Sequence, residues 1–138
     1  MRKREVREAP PSFHYYQGSL MPAYNFQAQF ADMVKKRIKR QTIRAERKDG
    51  YVPEVGALFK GFTGLRSKKC RFLLESRISE VLPVVIKPEG IWLDGKPLDD
   101  AEANSIALLD GFQDADEMCG WFARTHGAHF SGHLIRWL

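Results

Sequence analysis

Cysteine is scarce in this 138-residue chain: Cys70 and Cys119 are the only two, and neither sits in a CxxC or Cys/His pattern. A disulfide framework and a four-ligand structural zinc site are therefore not expected, and a reducing, cytoplasmic setting fits best. Long apolar runs are missing too. None approaches the roughly 20 residues a membrane helix needs, and the charged start, with Arg2, Lys3, Arg4 and Pro10-Pro11, lacks the apolar centre of a secretory signal. A soluble protein without membrane contact is expected. Acidic residues are outnumbered, 17 Asp and Glu against 22 Lys and Arg, for a formal net charge of +5. That excess favours an anionic partner, with nucleic acid first, and leaves the fold open. Repeats and low-complexity tracts are absent.

What is present suffices for one core. With 43% hydrophobic and 12% aromatic residues, the chain matches the usual domain size of roughly 100 to 150 residues. Residues 1 to 22 show no apolar periodicity and read as a flexible tail, which Phe13, Tyr15 and Tyr16 can dock locally. Residues 23 to 138 read as the domain.

Within it, Phe30, Met33, Val34 and Ile38 recur at helical spacing. From Gln41 to Glu46 the pattern switches to period two, so Ile43 and Ala45 share one face and Thr42, Arg44 and Glu46 the other. Further strands are expected over 57–62, 70–74, 84–86 and 91–93, the last beside a tight Asp94-Gly95 turn. Asp99 or Asp100 can cap a helix over 101–109 that stops at Gly111, and Asp114 with Glu117 resembles a capping box for a second helix. Phe130 to Leu138 reads as a closing strand.

The charges cluster in two places. Lys35 to Lys48 holds most of the basic excess around Ile38 and Ile43, and Arg66, Lys68, Lys69 and Arg71 lie between Phe62 and Phe72 near Gly61 and Gly64. Cations interleaved with rings and flexible glycines suit a loop that follows a phosphate backbone while rings stack on bases, and a solvated turn is the plainer alternative. Lys39 is either one more solvated cation or, in a cleft near Lys36, Arg40 and Arg44, an amine of lowered pKa. Thr42 is an ordinary strand former unless a base comes within reach. Asp110, in the last turn before Gly111, opposes the helix dipole and suits a proton acceptor as well as a common turn. His126, His129 and His133 lack a completing carboxylate or cysteine and read as surface or phosphate-contacting residues, with no metal and no cofactor expected. Trp121 and Phe122 read as core, and Trp92 as the exposed aromatic.

Several blocks, in order, resemble the ASCH domain family of the PUA-like superfamily: Tyr24-Asn25-Phe26-Gln27, Lys39-Arg40-Gln41-Thr42-Ile43-Arg44, Phe62 to Arg71, Asp110-Gly111-Phe112 and Trp121-Phe122. The resemblance covers about residues 23 to 138. It implies an α+β fold, a small and mostly antiparallel β-barrel flanked by short helices, with a cleft associated with RNA. In the branch that hydrolyses N4-acetylcytidine a Lys, a Thr and a Glu are catalytic, and other members are linked to RNA cleavage. Carried over, these roles fall on Lys39, Thr42 and Asp110, where Asp is shorter than Glu by one carbon–carbon bond, about 1.5 Å. Arg40, Arg44, Arg66, Lys68, Lys69 and Arg71 are the expected nucleic-acid contacts. Three functions follow as expectations: single-stranded RNA cleavage, amide hydrolysis on a modified nucleoside, or RNA binding without catalysis.

Overall fold

A computed structural model describes the backbone of residues 13–16 and 19–138, with side chains from Ala23 onward. The chain is α+β. Its elements are β1 (Phe13–Tyr16), β2 (Ser19–Phe26), α1 (Ala28–Lys35), β3 (Gln41–Ala45), β4 (Leu58–Thr63), β5 (Arg71–Lys87), β6 (Gly90–Leu93), β7 (Lys96–Pro97), α2 (Asp100–Leu109), α3 (Ala115–His126) and β8 (Phe130–Trp137).

β5 is the spine of a single mixed sheet. Its first half pairs with β4, its second half with β8, and its end with β6. β8 in turn pairs with β3, and β4 pairs with β2 in parallel, whereas the other ladders are antiparallel. Strands had been expected to stop near Leu74 and restart near Val84. Instead β5 runs on through 17 residues. No Gly, Asn or Asp lies between Leu74 and Val84 to break it, so Glu75, Arg77 and Ser79 are exposed positions of a continuous strand rather than a turn.

The expected closed barrel is not seen as a continuous ladder. Among the described residues β3 pairs with β8 alone and β2 with β1 and β4, so the curved sheet is open between β2 and β3. Part of the expected tail carries backbone structure. Residues 13–16 and 19–22 pair as an antiparallel ladder that continues β2, because backbone pairing needs no apolar periodicity in the strand that is added. Residues 1–12 of the expected tail lie outside the described residues.

The helix ends follow the local chemistry. Asp99 and Glu102 form a full capping box on α2. On α3 the Asp114 side chain accepts from the Glu117 amide, while Glu117 Oε1 reaches the Gln113 amide at 2.6 Å instead of completing the box. Asp94 and Gly95, at φ 54° and 81°, make the left-handed two-residue turn that joins β6 to β7.

Hydrophobic burial divides into two clusters on either side of the β5–β8 ladder. One gathers Ile43, Val84, Ile86, Met118, Phe122 and Leu134 beneath α2 and α3. The other gathers Tyr24, Phe26, Val34, Phe59, Ile78 and Trp137 beneath α1. Phe59 anchors the second, stacked on Tyr24 at 4.7 Å and on Trp137 at 4.2 Å. Phe30 packs against both clusters, and the candidate site lies beside it.

Candidate functional site between β2 and β3

α1 ends early, and this places the first functional residue. Arg37 takes a left-handed conformation (φ 62°), and the amides of Ile38 and Lys39 both donate to the Met33 carbonyl at 2.9 and 3.0 Å. Arg37 Nη1 and Nη2 then clamp the turn to the carbonyls of Leu138 and Glu75 at 3.0 and 3.3 Å. Helical phase is lost at this reversal. Ile38, expected on the apolar stripe, is 65% exposed, and Lys39 points inward at 3% exposure.

Lys39 meets the C-cap of α2. Its Nζ donates to the Asp110 backbone carbonyl at 2.6 Å and lies 3.3 Å from Asp110 Oδ1. Its ammonium sits 5.1 Å from the Phe30 ring centroid and 6.0 Å from that of Phe26. Burial pushes the Lys39 amine below its usual range, helped by Arg44 and opposed by Asp110. Burial pushes the Asp110 carboxyl up, opposed by Lys39, by the Gln41 hydrogen bond and by Arg44. Of the cations expected to depress Lys39, Arg44 contributes, whereas Lys36 and Arg40 are exposed on the outer face. Burial is the leading cause.

Thr42 and Arg44 share one face of β3, as the alternation implies. Arg44 Nε donates to Thr42 Oγ1 at 3.0 Å and Nη2 to the Asn25 carbonyl at 2.7 Å, which bridges the gap between β3 and β2. The guanidinium lies over the Tyr24 and Phe26 rings at 5.4 and 5.0 Å. Burial lowers its pKa, yet an arginine stays charged at neutral pH. Among the described residues no hydrogen bond joins Thr42 to Lys39 or Asp110, so its hydroxyl has no base in contact. This geometry favours an orienting hydroxyl over an attacking one.

Lys39, Thr42, Arg44 and Asp110 line one cavity of about 310 Å³, walled by Asn25, Phe26, Phe30, Phe112, Trp121 and His126 among others. That volume is at the low end of ligand pockets, which run from roughly 300 to 1,000 Å³. Trp121, read as core, is half-buried and belongs to this wall, 5.9 Å from the Phe112 and His126 ring centroids. Its stripe on α3 does face inward, but the open sheet leaves a space there. Trp92, read as exposed, is half-buried with Lys87 Nζ 5.1 Å above its ring.

The second basic cluster lies next to the cavity. Arg66, Lys68, Lys69 and Arg71 are all exposed, and among the described residues no carboxylate pairs with them. Asn25 Oδ1 accepts from the Leu65 amide at 2.8 Å, so the residue that holds Arg44 also holds the base of this loop. Phe72, 50% exposed, meets Phe62 edge-on at 5.6 Å. Arg40 is elsewhere: it is exposed, does not line the cavity, and donates to the Arg37 carbonyl at 3.2 Å. Although adjacent in sequence, Lys39 is buried in the site and Arg40 is exposed outside it.

Gln41 was not singled out from the sequence, yet it is 1% exposed and donates to Asp110 Oδ1 at 3.2 Å and to the Ile106 carbonyl at 3.1 Å. The available signal was a polar residue on the same strand face as Ile43. His126 joins the cavity wall stacked on Phe122 at 5.5 Å, and His129 Nε2 lies 3.2 Å from Ser131 Oγ. Among the described residues no three His, Cys, Asp or Glu side chains are placed to hold a metal ion. Among the described residues no helix is long and apolar enough to cross a membrane. No protein-family model matches the chain, and no curated protein or solved structure is significantly similar to it.

Proposed function

We propose that this chain is a cytoplasmic PUA-like domain of the ASCH type that binds single-stranded RNA or a modified nucleoside in the β2–β3 cavity and hydrolyses an amide there. One observation carries the reading. An amine, a carboxylate, a hydroxyl and a guanidinium meet between aromatic rings in a space suited to a small planar molecule. Arg44 bridging β3 to β2 supports a sheet curled toward a small barrel.

In this reading the base enters between Phe30, Phe112 and Trp121, whose faces suit a flat heterocycle. Water adds to the acyl carbon, and Asp110 receives its proton. Thr42 and Arg44 donate to the oxyanion that develops on the carbonyl oxygen. Lys39 passes a proton to the departing nitrogen, giving a free acid and an amine. Opposite burial effects on Lys39 and Asp110 bring the pair closer in proton affinity, which suits such an exchange.

The exposed cations of the 64–71 loop favour an RNA-binding module without catalysis as the second reading. The test is incubation of the purified chain with N4-acetylcytidine and, separately, with a single-stranded oligoribonucleotide, each beside Lys39→Ala. Release of acetate by the parent chain alone is the expected outcome. Binding of the oligonucleotide with no turnover of either compound leaves the module as the function, and no binding of either removes both.

A further inference from the structure

Behind Asp110 lies a row of polar groups to which the proposed chemistry gives no role. In the β3–β8 register Gln41 stands opposite Arg136, and in the β5–β8 register Arg136 stands opposite Glu80. Arg136 Nη1 donates to Glu80 Oε1 at 2.7 Å, and its Nε donates to Gln41 Oε1 at 3.3 Å. Gln41 Nε2 then donates to Asp110 Oδ1 at 3.2 Å. A continuous line of hydrogen bonds thus runs from a partly exposed ion pair to the cavity wall.

The line has a fixed direction. A guanidinium has only donors, so Gln41 must turn its oxygen to Arg136 and its nitrogen to Asp110 Oδ1 and the Ile106 carbonyl. Lys39 Nζ also approaches Oδ1, at 3.3 Å. A proton on Oδ1 would confront these two N–H donors. Oδ2 makes no hydrogen bond among the described residues, and Asp110 lines the cavity.

A β-bulge makes the row possible. The β5–β8 register steps from Ile78 opposite Trp137 to Glu80 opposite Arg136, which leaves Ser79 as the extra residue. Without the step Ser79, not Glu80, would stand opposite Arg136. Bulges commonly re-aim a side chain in this way beside functional sites.

We propose that Glu80, Arg136 and Gln41 form a positioning relay that keeps Oδ1 of Asp110 an acceptor and so makes Oδ2 the oxygen that exchanges a proton with the cavity ligand. This deepens the proposed function and rests on it for the presence of a ligand. The charged and titratable groups around the carboxyl are Lys39 from the α1–β3 turn, Arg44 from β3, His126 from α3, Arg136 from β8 and, behind it, Glu80 from β5.

The test is a ¹³C NMR titration of the Asp110 carboxyl in the full, ligand-free chain and in Gln41→Met, Arg136→Met and Glu80→Gln. Losing the Gln41 donor removes support for the charged form, so the midpoint rises by about one unit, a tenfold gain in proton affinity. Arg136→Met moves it in the same direction by less, because the Gln41 amide is then free to turn over, and Arg136→Lys restores most of the parental value. A merely structural role lowers the melting temperature and leaves the midpoint in place. Should the Gln41 variant fail to fold, Arg136→Met and Glu80→Gln, whose side chains are partly exposed, carry the same comparison. Unchanged midpoints in the folded variants overturn the relay. The titration uses no substrate, so shifted midpoints without turnover uphold the relay and refute the hydrolase, while unshifted midpoints with turnover do the reverse.

Discussion

Gly132 runs so close to Arg44 that the two touch through backbone alone. A Cβ at Gly132 would overlap the Arg44 carbonyl oxygen, lie 2.8 Å from its carbon and 2.9 Å from Phe130 Cζ. Since β8 and β3 pair here, with Ala45 opposite Gly132, an added methyl pushes β3 away. Gly132→Ala should cost about 1–3 kcal/mol, as overpacking of a tight interior does. It should also weaken ligand binding, because Arg44 moves with its strand. Denaturant melts and a binding titration of the variant check both effects, and unchanged stability would mean the strands separate freely.

Lys39 and Asp110 form the most deeply buried ion pair of the chain's described residues. Removing one partner leaves the other charge without compensation, a loss of about 3–5 kcal/mol for well-buried pairs. Lys39→Met should therefore abolish turnover and destabilise, with a loss at the lower end because the Asp110 carboxyl can neutralise by taking a proton. Its raised pKa supplies the sign. In the variant, whose opposing amine is gone, the carboxyl rises further, so the stability loss shrinks as pH falls and grows as pH rises through the folded pKa. Urea unfolding at several pH values reads this directly.

Asp110→Glu lengthens the carboxylate by one bond. If this cavity descends from the acetylcytidine-hydrolase pattern, amide turnover increases, since misplacements near 1 Å can cost about a hundredfold in rate. The longer side chain also has to keep Gln41 and Lys39 as partners. A drop in kcat with unchanged folding would show that the Asp is matched to its own surroundings.

RNA affinity should fall steeply with salt. Each neutralised phosphate contributes about 0.7 to the log–log slope for single strands. Lys68→Ala with Lys69→Ala should flatten that slope, and Phe72→Ala should weaken binding at every salt concentration, since a stacked ring is worth about 1–3 kcal/mol per base. Fluorescence anisotropy with a labelled oligoribonucleotide measures all three. A slope unaffected by the lysine changes would place the strand elsewhere.

Asp49 gives a check at the surface. Arg47 Nε and Nη2 clamp its two oxygens at 3.0 and 2.7 Å, and the Tyr51 amide donates to Oδ1 at 3.0 Å. These hydrogen bonds, that from Arg47 first, hold its carboxyl down to about 2. Its modest contribution to stability is present above the ordinary Asp range and is lost as pH falls through about 2. Arg47→Ala should return the NMR midpoint toward the usual Asp value.

Periodicity and capping chemistry made much of this fold readable in advance. The alternation at Gln41 to Glu46 and the acidic caps at Asp99 and Asp114 act within a few residues, where propensity and hydrogen bonding decide the outcome. What eluded the sequence was tertiary. Ile38 left its stripe because Arg37 reversed the chain, an event that depends on carbonyls of Glu75 and Leu138 far along the sequence. The Ser79 bulge and the continuity of β5 depend on β8 lying alongside. Within the site, Lys39, Thr42, Arg44 and Asp110 were named from motif order, and they line one cavity. Gln41 and Asn25 were overlooked as site residues because their part is to hold other side chains, and holding leaves little trace in composition.

The open edge between β2 and β3 changes what occupancy does to the molecule. Elsewhere the sheet is joined strand to strand, but here, among the described residues, it is the Arg44 side chain that reaches from β3 to the Asn25 carbonyl. A molecule in the cavity touches residues of both edges and so becomes a structural member, a removable splint between them. Binding is then legible as heat resistance: at a hundred times its Kd a ligand that binds only the folded chain adds about 2.7 kcal/mol. A thermal-shift screen of nucleosides and short oligonucleotides thus finds the natural occupant without any assay of the reaction.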